Sequence, residues 1–169
     1  ATANAEMVML ANENPTLHTI LNNASLVVPD GAGILWAAER QGEHVPERVT
    51  GVDVTKRLFK VAADQQIPVY CLGAAPGVAQ RAIDNLSAQV GPLNIAGIHD
   101  GFFDSTEEQE IVKAISESKA KLVFVALGVP KQEQWISEKL SHLDGIVAIG
   151  IGGSFDVLAG NIPRAPEWM

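Results

Sequence analysis

Four short apolar runs, each followed by a helix-like segment, constrain the fold of this chain more than any other feature. The runs begin at Ile67, Leu93, Lys121 and Gly145, and this spacing fits one strand plus one helix per step. Each run ends in glycine, which lets the turn after a strand bring backbone close to a ligand. The alternation predicts an α/β fold: one Rossmann-like, doubly wound domain over residues 1–169, with a mainly parallel sheet and helices on both faces.

Two of the intervening segments carry apolar residues at helical spacing. Such spacing predicts helices that each pack one apolar stripe against the sheet. The first stripe is Val54, Leu58, Val61 and Ala62, and the second is Val78, Ala82, Leu86 and Val90.

Cap signals and short apolar segments supply the remaining predicted elements. Ser105 with Glu108 three residues later predicts a capping box, and Asn14 before Pro15 predicts the N-cap and first residue of another helix. The segment "LVV" before Pro29 predicts a strand, and the opening "ATAN" predicts the end of one more.

The composition of the chain argues against several classes of protein. The formal net charge is -8, so a nucleic-acid partner is not expected, because binding phosphates requires a basic face. The one cysteine, Cys71, lies inside an apolar run, where core packing is the expected role. No apolar run approaches the roughly 18 residues that a membrane-spanning helix needs.

The sequence at both ends of the chain is typical of the central part of a longer protein. The chain opens at "ATAN" without a methionine and stops at "RAPEWM", in a segment typical of a continuing helix. Apolar surface left at such ends would favour self-association, so a homo-oligomer is a further expectation.

The carboxyl ends of parallel strands meet at one sheet edge, where open α/β sheets bind their ligands. Asp30 at this edge allows two interpretations, a turn residue between Pro29 and Gly31 or a carboxylate above a cleft. The polar residues and glycines that the sequence places at this edge are Thr2, Asn4, Asp30, Gly31, Gly33, Gly73, His99, Asp100, Gly128, Lys131, Gln132, Gly150, Gly152 and Gly153.

The segment "LGVPKQEQWI" also allows two interpretations. Lys131 and Gln132 begin a predicted helix after Pro130, where free N–H groups and the helix dipole attract an anion such as a phosphate. Alternatively, Lys131 and Glu133 are solvated residues of the first turn, with Trp135 and Ile136 in the core.

Several common motifs are absent from the sequence. There is no GxGxxG fingerprint, no phosphate-binding GxxxxGK[ST], no zinc spacing of His or Cys, and no Asp-x-Asp to hold a cation against a diphosphate. A phosphate-linked reaction would therefore use arginines and helix ends, with Arg48 favoured over Arg164 because it lies in a loop before a helix start. Asp156, three residues after Gly153, allows two roles, a helix cap or a group that holds a ligand hydroxyl, and capping is favoured.

Five fragments in this order, "TANAEMV", "VVPDGAGI", "ERVTGVD", "GVPKQEQW" and "GGSFDVLAG" followed by "RAP", resemble the WecG/TagA/CpsF glycosyltransferase family. The resemblance covers almost the whole chain and is greatest to the TagA branch. It implies an inverting, metal-independent transfer of N-acetylmannosamine, or a related amino sugar, from a UDP donor to an undecaprenyl-diphosphate-linked N-acetylglucosamine in teichoic acid or surface polysaccharide synthesis. No cofactor is implied, since the UDP-sugar is a substrate.

The resemblance also implies site residues. Asp30 matches the family's proposed general base, and Thr2, Asn4, Arg48 and Gln132 match active-site positions. We take Asp30, Arg48 and Thr2 as the catalytic group. The predicted substrate-binding residues are Asn4, Gly73, Gly128, Lys131, Gln132, Gly152 and Gly153.

The chain departs from the family pattern in two ways. Ala3 stands where a proline is common. A basic carboxyl-terminal segment, which in the family attaches the enzyme to the membrane and adds active-site arginines, is expected to be missing. The full-length protein is thus expected in the cytoplasm, peripheral at the inner face of the bacterial membrane.

Two alternatives from other classes stay open on the sequence. A nucleotide-binding module without catalysis would need only the glycine-ended strands, and Asp30 would then be a turn residue. An NAD-dependent oxidoreductase would bind a dinucleotide, although the missing GxGxxG argues against it.

Overall fold

A computed structural model of the chain describes residues 1–164. Parallel strands and helices alternate along these residues. The strands are β1 Thr2–Ala3, β2 Val28–Pro29, β3 Val69–Gly73, β4 Ile95–His99, β5 Leu122–Ala126 and β6 Val147–Gly150. The α-helices are α1 Ala5–Glu13, α2 Pro15–Asn23, α3 Ala32–Arg40, α4 Gly51–Gln65, α5 Val78–Val90, α6 Ser105–Glu117, α7 Lys131–Trp135 and α8 Ser154–Leu158, and a π-helical turn, Ile136–Leu140, continues α7.

The described strands form two parallel ladders. The larger has the order β4-β3-β5-β6, and the smaller pairs β1 with β2. The Thr2 hydroxyl donates to the Gly150 carbonyl across 3.4 Å, so a side-chain hydrogen bond links β1 to the end of β6. The predicted α/β class with parallel strands is confirmed, and the order of the larger ladder brings the edge strand β6 beside the smaller one.

The larger ladder separates two apolar cores, one on each face. Along β3, Val69 and Cys71 pack with α4, α5 and α8, whereas Tyr70 and Leu72 pack with α6 and α7. This alternation is the period of a strand buried on both faces. Helices on both faces and the core role of Cys71 were both predicted and are both confirmed.

The elements predicted from cap signals agree with the structure at α2, where the Asn14 side chain accepts from the Leu17 N–H at 3.0 Å. The strand predicted at "LVV" is shifted, because β2 covers Val28–Pro29 while Leu26 and Val27 are exposed. Within residues 1–164 no helix is both long enough and apolar enough to cross a bilayer. The end of the "RAPEWM" segment, beyond Arg164, lies outside the described residues.

The apolar stripe predicted for α4 is confirmed at Ala62, which is buried, and at Leu58, which packs against the core, but not at Val61. The buried residues of α4 are Gly51, Thr55, Phe59, Ala62 and Ala63, while Val61 is 42% exposed. Phe59 sets this register because its ring stacks on Phe124 of β5, with centroids 4.5 Å apart. The apolar stripe predicted for α5 is confirmed at Val78, Ala82 and Leu86, which are buried, and Val90 is half-buried.

The capping box of α6 was predicted one residue too late. Asp104 is the N-cap and accepts from the Thr106 and Glu107 N–H groups, and Glu107 accepts in return from the Asp104 N–H. The hydrogen bonds that the Asp104 carboxylate accepts from the Glu107 and Thr106 N–H groups lower its pKa. Glu108, the predicted partner, instead accepts from Trp135 Nε1 at 2.9 Å and pairs with Lys139 at 2.7 Å.

We expect Phe59→Ala to lower the free energy of unfolding by about 3–5 kcal/mol, because it removes a fully buried ring and leaves a cavity. Val61→Ala, on the same helix but exposed, should change it by less than about 0.5 kcal/mol. Urea unfolding of both variants measures this. A larger loss in Val61→Ala than in Phe59→Ala would support the stripe predicted from the sequence.

Candidate active site

A cleft of about 440 Å³ opens where β1, β2 and β6 end and α4 begins. It collects seven of the ten residues that the sequence predicted for the site, and it leaves out three. The seven are Thr2, Asn4, Asp30, Arg48, Gln132, Gly152 and Gly153; the other lining residues are Gly31, Thr50, Gly51, Val52, Val129, Ile151, Ser154, Val157, Ile162 and Arg164.

The Asp30 carboxylate lies at the amino terminus of α4. Its Oδ2 accepts from the Gly51 N–H at 2.9 Å, and the Asp30 N–H donates to the Ala3 carbonyl at 2.7 Å. The side chain therefore contacts a helix 21 positions further along the chain. A turn residue would instead accept from the backbone two residues on, so these contacts favour the interpretation of Asp30 as a carboxylate above a cleft.

The pKa of Asp30 is raised above the ordinary value, and desolvation by burial is the largest cause. The Gly51 hydrogen bond and the positive charge of Arg48 both act in the opposite direction, and the negative charge of Asp53 adds to the rise. Burial prevails, so this carboxyl holds a proton more tightly than an exposed aspartate does. A carboxylate with that property is suited to accepting a proton from a substrate hydroxyl.

Gly51 lies close to three side-chain oxygens of residues that line the cleft. A Cβ added at Gly51 would lie 3.4 Å from Ser154 Oγ, 3.5 Å from Asp30 Oδ2 and 3.7 Å from Thr2 Oγ1. The three oxygens thus surround one point beside Gly51, and the Ser154 and Thr2 hydroxyls donate to the Ile151 and Gly150 carbonyls. Ser154 was not predicted from the sequence, and its signal was a serine directly after the Gly152–Gly153 pair.

Asn4 has a structural contact besides its place in the cleft. It is the N-cap of α1, and its side-chain oxygen accepts from the Met7 N–H at 2.8 Å. The helix start therefore fixes the orientation of Asn4.

Gln132 joins the cleft to the glycine loop after β6. It is 1% exposed, and its Oε1 accepts from the Gly152 N–H at 3.0 Å while its Nε2 donates to Glu133 Oε1 at 2.7 Å. Glu133 is 4% exposed, so its interpretation as a solvated residue was wrong. Burial raises its pKa. The core placement of Trp135 and Ile136 is confirmed, since both contribute to the second core.

The anion site predicted at the start of α7 is not assembled as expected. The Gln132 N–H already donates to the Gly128 carbonyl at 2.9 Å. Lys131 does not line the cleft; its ammonium lies 5.2 Å from the ring centroid of Phe103. Gly128 does not line the cleft either.

Gly73, the third predicted residue outside the cleft, lines a second and smaller one of about 260 Å³ with His99 and Asp100. Its φ of +118° suits glycine, and a Cβ there would overlap the Ala126 carbonyl of the neighbouring strand. The structure thus gives Gly73 a packing role between β3 and β5.

Two arginines supply positive charge to the cleft, Arg48 and Arg164. Arg164 is paired with Asp53 at 2.7 Å, and Asp53 also accepts from the Thr50 hydroxyl at 2.7 Å. Asp156, expected as a helix cap, lies inside the first turn of α8 and accepts from Asn161 Nδ2 at 3.1 Å. Within residues 1–164, no three His, Cys, Asp or Glu side chains group as metal ligands.

A family profile described as "Glycosyl transferase WecG/TagA/CpsF family" matches residues 1–169. The chain is similar to proteins named N-acetylglucosaminyldiphosphoundecaprenol N-acetyl-beta-D-mannosaminyltransferase. One from Bacillus subtilis strain 168 is 32% identical over 169 residues, covering 100% of this chain and 65% of the relative. One from Bacillus spizizenii is 34% identical, with 99% and 68% covered, and one from Staphylococcus aureus strain NCTC 8325 is 33% identical, with 98% and 64% covered. The chain therefore spans about two thirds of the length of these relatives.

We expect Asp30→Asn to be more stable than the wild type at neutral pH. Because the folded pKa of Asp30 is raised, the native state binds more protons than the unfolded state as pH rises from the usual carboxyl range through the folded pKa, so wild-type stability falls across that window. The variant lacks this loss and keeps an acceptor for the Gly51 N–H.

Urea unfolding at several pH values measures the difference, which should be smallest in acid and grow towards neutral pH. Asp144→Asn, at an exposed position before β6, serves as the control and should change stability little across the same range. A difference that shrinks as pH rises would contradict the raised pKa.

Proposed function

The chain belongs to the WecG/TagA/CpsF family of glycosyltransferases, and from this premise we propose that it transfers N-acetylmannosamine, or a related amino sugar, from a UDP donor to a polyprenyl-diphosphate-linked N-acetylglucosamine. The relatives' printed names support the transferred sugar and the lipid-linked acceptor. The observation that carries the proposal is the Asp30 carboxylate, which lies in a cleft with the other predicted catalytic side chains, Arg48 and Thr2.

In the proposed reaction Asp30 is the general base. It takes the proton from the acceptor hydroxyl while that oxygen attacks the anomeric carbon of the donor sugar, and the bond from this carbon to the UDP oxygen breaks. One displacement from the opposite face inverts the anomeric configuration. The electron pair of the broken bond leaves with UDP, and the proton stays on Asp30 until solvent removes it.

Charge that develops on the departing diphosphate needs donors held in place beforehand. Arg48 and Arg164 line the same cleft as Asp30, which supports neutralisation by guanidinium groups and a transfer that is independent of metal. The Gly152 N–H is not free to donate to the diphosphate, because it already donates to Gln132 Oε1. Gly152 lines the cleft with backbone alone, since it has no side chain.

The lipid-linked acceptor places the proposed reaction at a membrane surface. We propose that the full-length protein works in the cytoplasm, peripheral at the inner face of the bacterial membrane, and serves the synthesis of teichoic acid or another cell-wall polysaccharide. The undecaprenol-linked acceptor in the relatives' names supports a lipid-linked substrate, and the family supports a role in polysaccharide synthesis. Homo-oligomer formation stays a prediction.

Asp30→Asn should lower kcat for transfer by about 10²–10⁴-fold, the usual contribution of a general base. Its affinity for UDP should stay near the wild-type value, because the amide keeps the shape and the Gly51 contact. The assay uses full-length protein, UDP-N-acetylmannosamine, the lipid-linked acceptor and excess chelator, and calorimetric titration gives the UDP affinity.

Asp100→Asn is the matched control. Asp100 also follows a parallel strand, but it lines the smaller cleft, so transfer should stay near the wild-type rate. Normal turnover in Asp30→Asn would refute the base assignment. UDP binding without transfer by the wild type would favour the nucleotide-binding module, and affinity for NAD instead of UDP would favour the oxidoreductase.

Arg48→Gln should move the acidic limb of the pH profile of kcat/KM to higher pH. The positive charge of Arg48 lowers the pKa of Asp30, so its removal lets the pKa rise further and the active, ionised base is lost at a higher pH. Arg48→Lys keeps the charge and should keep the limb closer to the wild-type position. A limb that stays fixed or moves to lower pH in Arg48→Gln would contradict the role of Arg48 beside Asp30.

A further inference from the structure

A buried pair of side chains, Gln132 and Glu133, lies behind the glycine loop of the cleft. Glu133 Oε1 accepts from Gln132 Nε2 at 2.7 Å, while Glu133 Oε2 is buried and has no hydrogen-bond partner among the described residues. Burying a carboxylate oxygen without a partner costs free energy, and an apolar side chain would avoid that cost. A purely structural role therefore does not explain a glutamate at this position.

The two ends of the Gln132 amide are chemically different. Glu133 Oε1 accepts from the NH₂ end of the amide, which turns the carbonyl end the other way. That carbonyl, Oε1, then accepts from the Gly152 N–H at 3.0 Å. Without Glu133, the amide could reverse and present its NH₂ group to the Gly152 N–H, where two donors would face each other.

Gly150 shows that the backbone is shaped around this pair. A Cβ added at Gly150 would lie 2.6 Å from Gln132 Nε2 and 2.7 Å from Glu133 Oε1, closer than real contacts allow. The absence of a side chain at the end of β6 is what lets the pair lie against the strand. Gln132, Glu133 and Gly150 thus form one packed unit beneath the loop that continues to Gly152.

We propose that Glu133 is a positioning residue, which fixes the orientation of the Gln132 amide and through it the Gly152–Gly153 loop that lines the cleft. Its consequence for sugar transfer rests on the proposed function. Glu133 itself does not line the cleft, so it acts through Gln132 and not on the substrate.

The test is a double-mutant cycle with Glu133→Met, Gln132→Met and the double variant in the full-length protein. Loss of one hydrogen bond corresponds to a fall in kcat of roughly three- to tenfold in Glu133→Met. In the Gln132→Met background the same change should lower kcat no further, because the residue through which Glu133 acts is already gone. Equal losses in both backgrounds would overturn the proposal.

Hydrogen exchange of the Gly152 amide gives a readout that does not depend on activity. Glu133→Met should speed this exchange as much as Gln132→Met does, whereas Glu133→Gln, whose carbonyl still accepts from Gln132 Nε2, should restore part of both the protection and kcat. Glu138→Met, at an exposed position on the same helical segment, should leave both unchanged.

The two readouts separate the two proposals. If the wild type transfers no sugar, the proposed function fails while the exchange of Gly152 still tests the positioning role. Unchanged exchange in Glu133→Met would overturn that role even in an active enzyme. Thermal unfolding does not separate the two roles, because Glu133→Met also leaves Gln132 Nε2 buried without its acceptor and should lose some stability in either case; a structural role alone predicts that loss without a change in the exchange of Gly152.

Discussion

The hydrogen bond from the Gly51 N–H to the Asp30 carboxylate is the interaction on which the cleft depends. Asp30 follows the short strand β2, and Gly51 begins α4, whose Phe59 stacks on Phe124 in the larger ladder. A two-residue strand has few backbone hydrogen bonds with which to fix the residue that follows it. The carboxylate is therefore held by a helix that the main core holds in turn, and its position is as well defined as that core.

The same contact makes the chemistry of Asp30 a balance of opposing effects. The helix terminus and Arg48 favour the ionised form, and burial favours the neutral form more strongly. Without the Gly51 N–H and Arg48, burial would raise the pKa of Asp30 further. With them, the carboxyl still binds a proton more tightly than an exposed aspartate does, which suits the proposed general base.

The sequence predicted the elements well and the contacts between them poorly, for physical reasons. Strand runs and caps are local, so β3 to β6 and the Asn14 cap of α2 were found. The register of α4 depends on Phe59 meeting Phe124, which is distant in the chain, so local spacing could not predict it. The capping box of α6 is local, but two overlapping patterns, Asp104 with Glu107 and Ser105 with Glu108, fit the same sequence.

The candidate site shows the same limit. The glycines at the strand ends predicted one ligand-binding site along the carboxyl edge of the sheet. In the structure the ends of the parallel strands line two separate clefts, and Gly73 lines the smaller one. The division follows from strand order: β6 is the edge strand of the larger ladder, and the Thr2 hydroxyl joins it to the smaller ladder. The larger cleft lies at this junction, where the carboxyl ends of β1, β2 and β6 meet the start of α4, and Asp30, Gly51 and Ser154 line it. The smaller cleft lies instead at the ends of β3 and β4, which explains why Gly73 is not in the larger one.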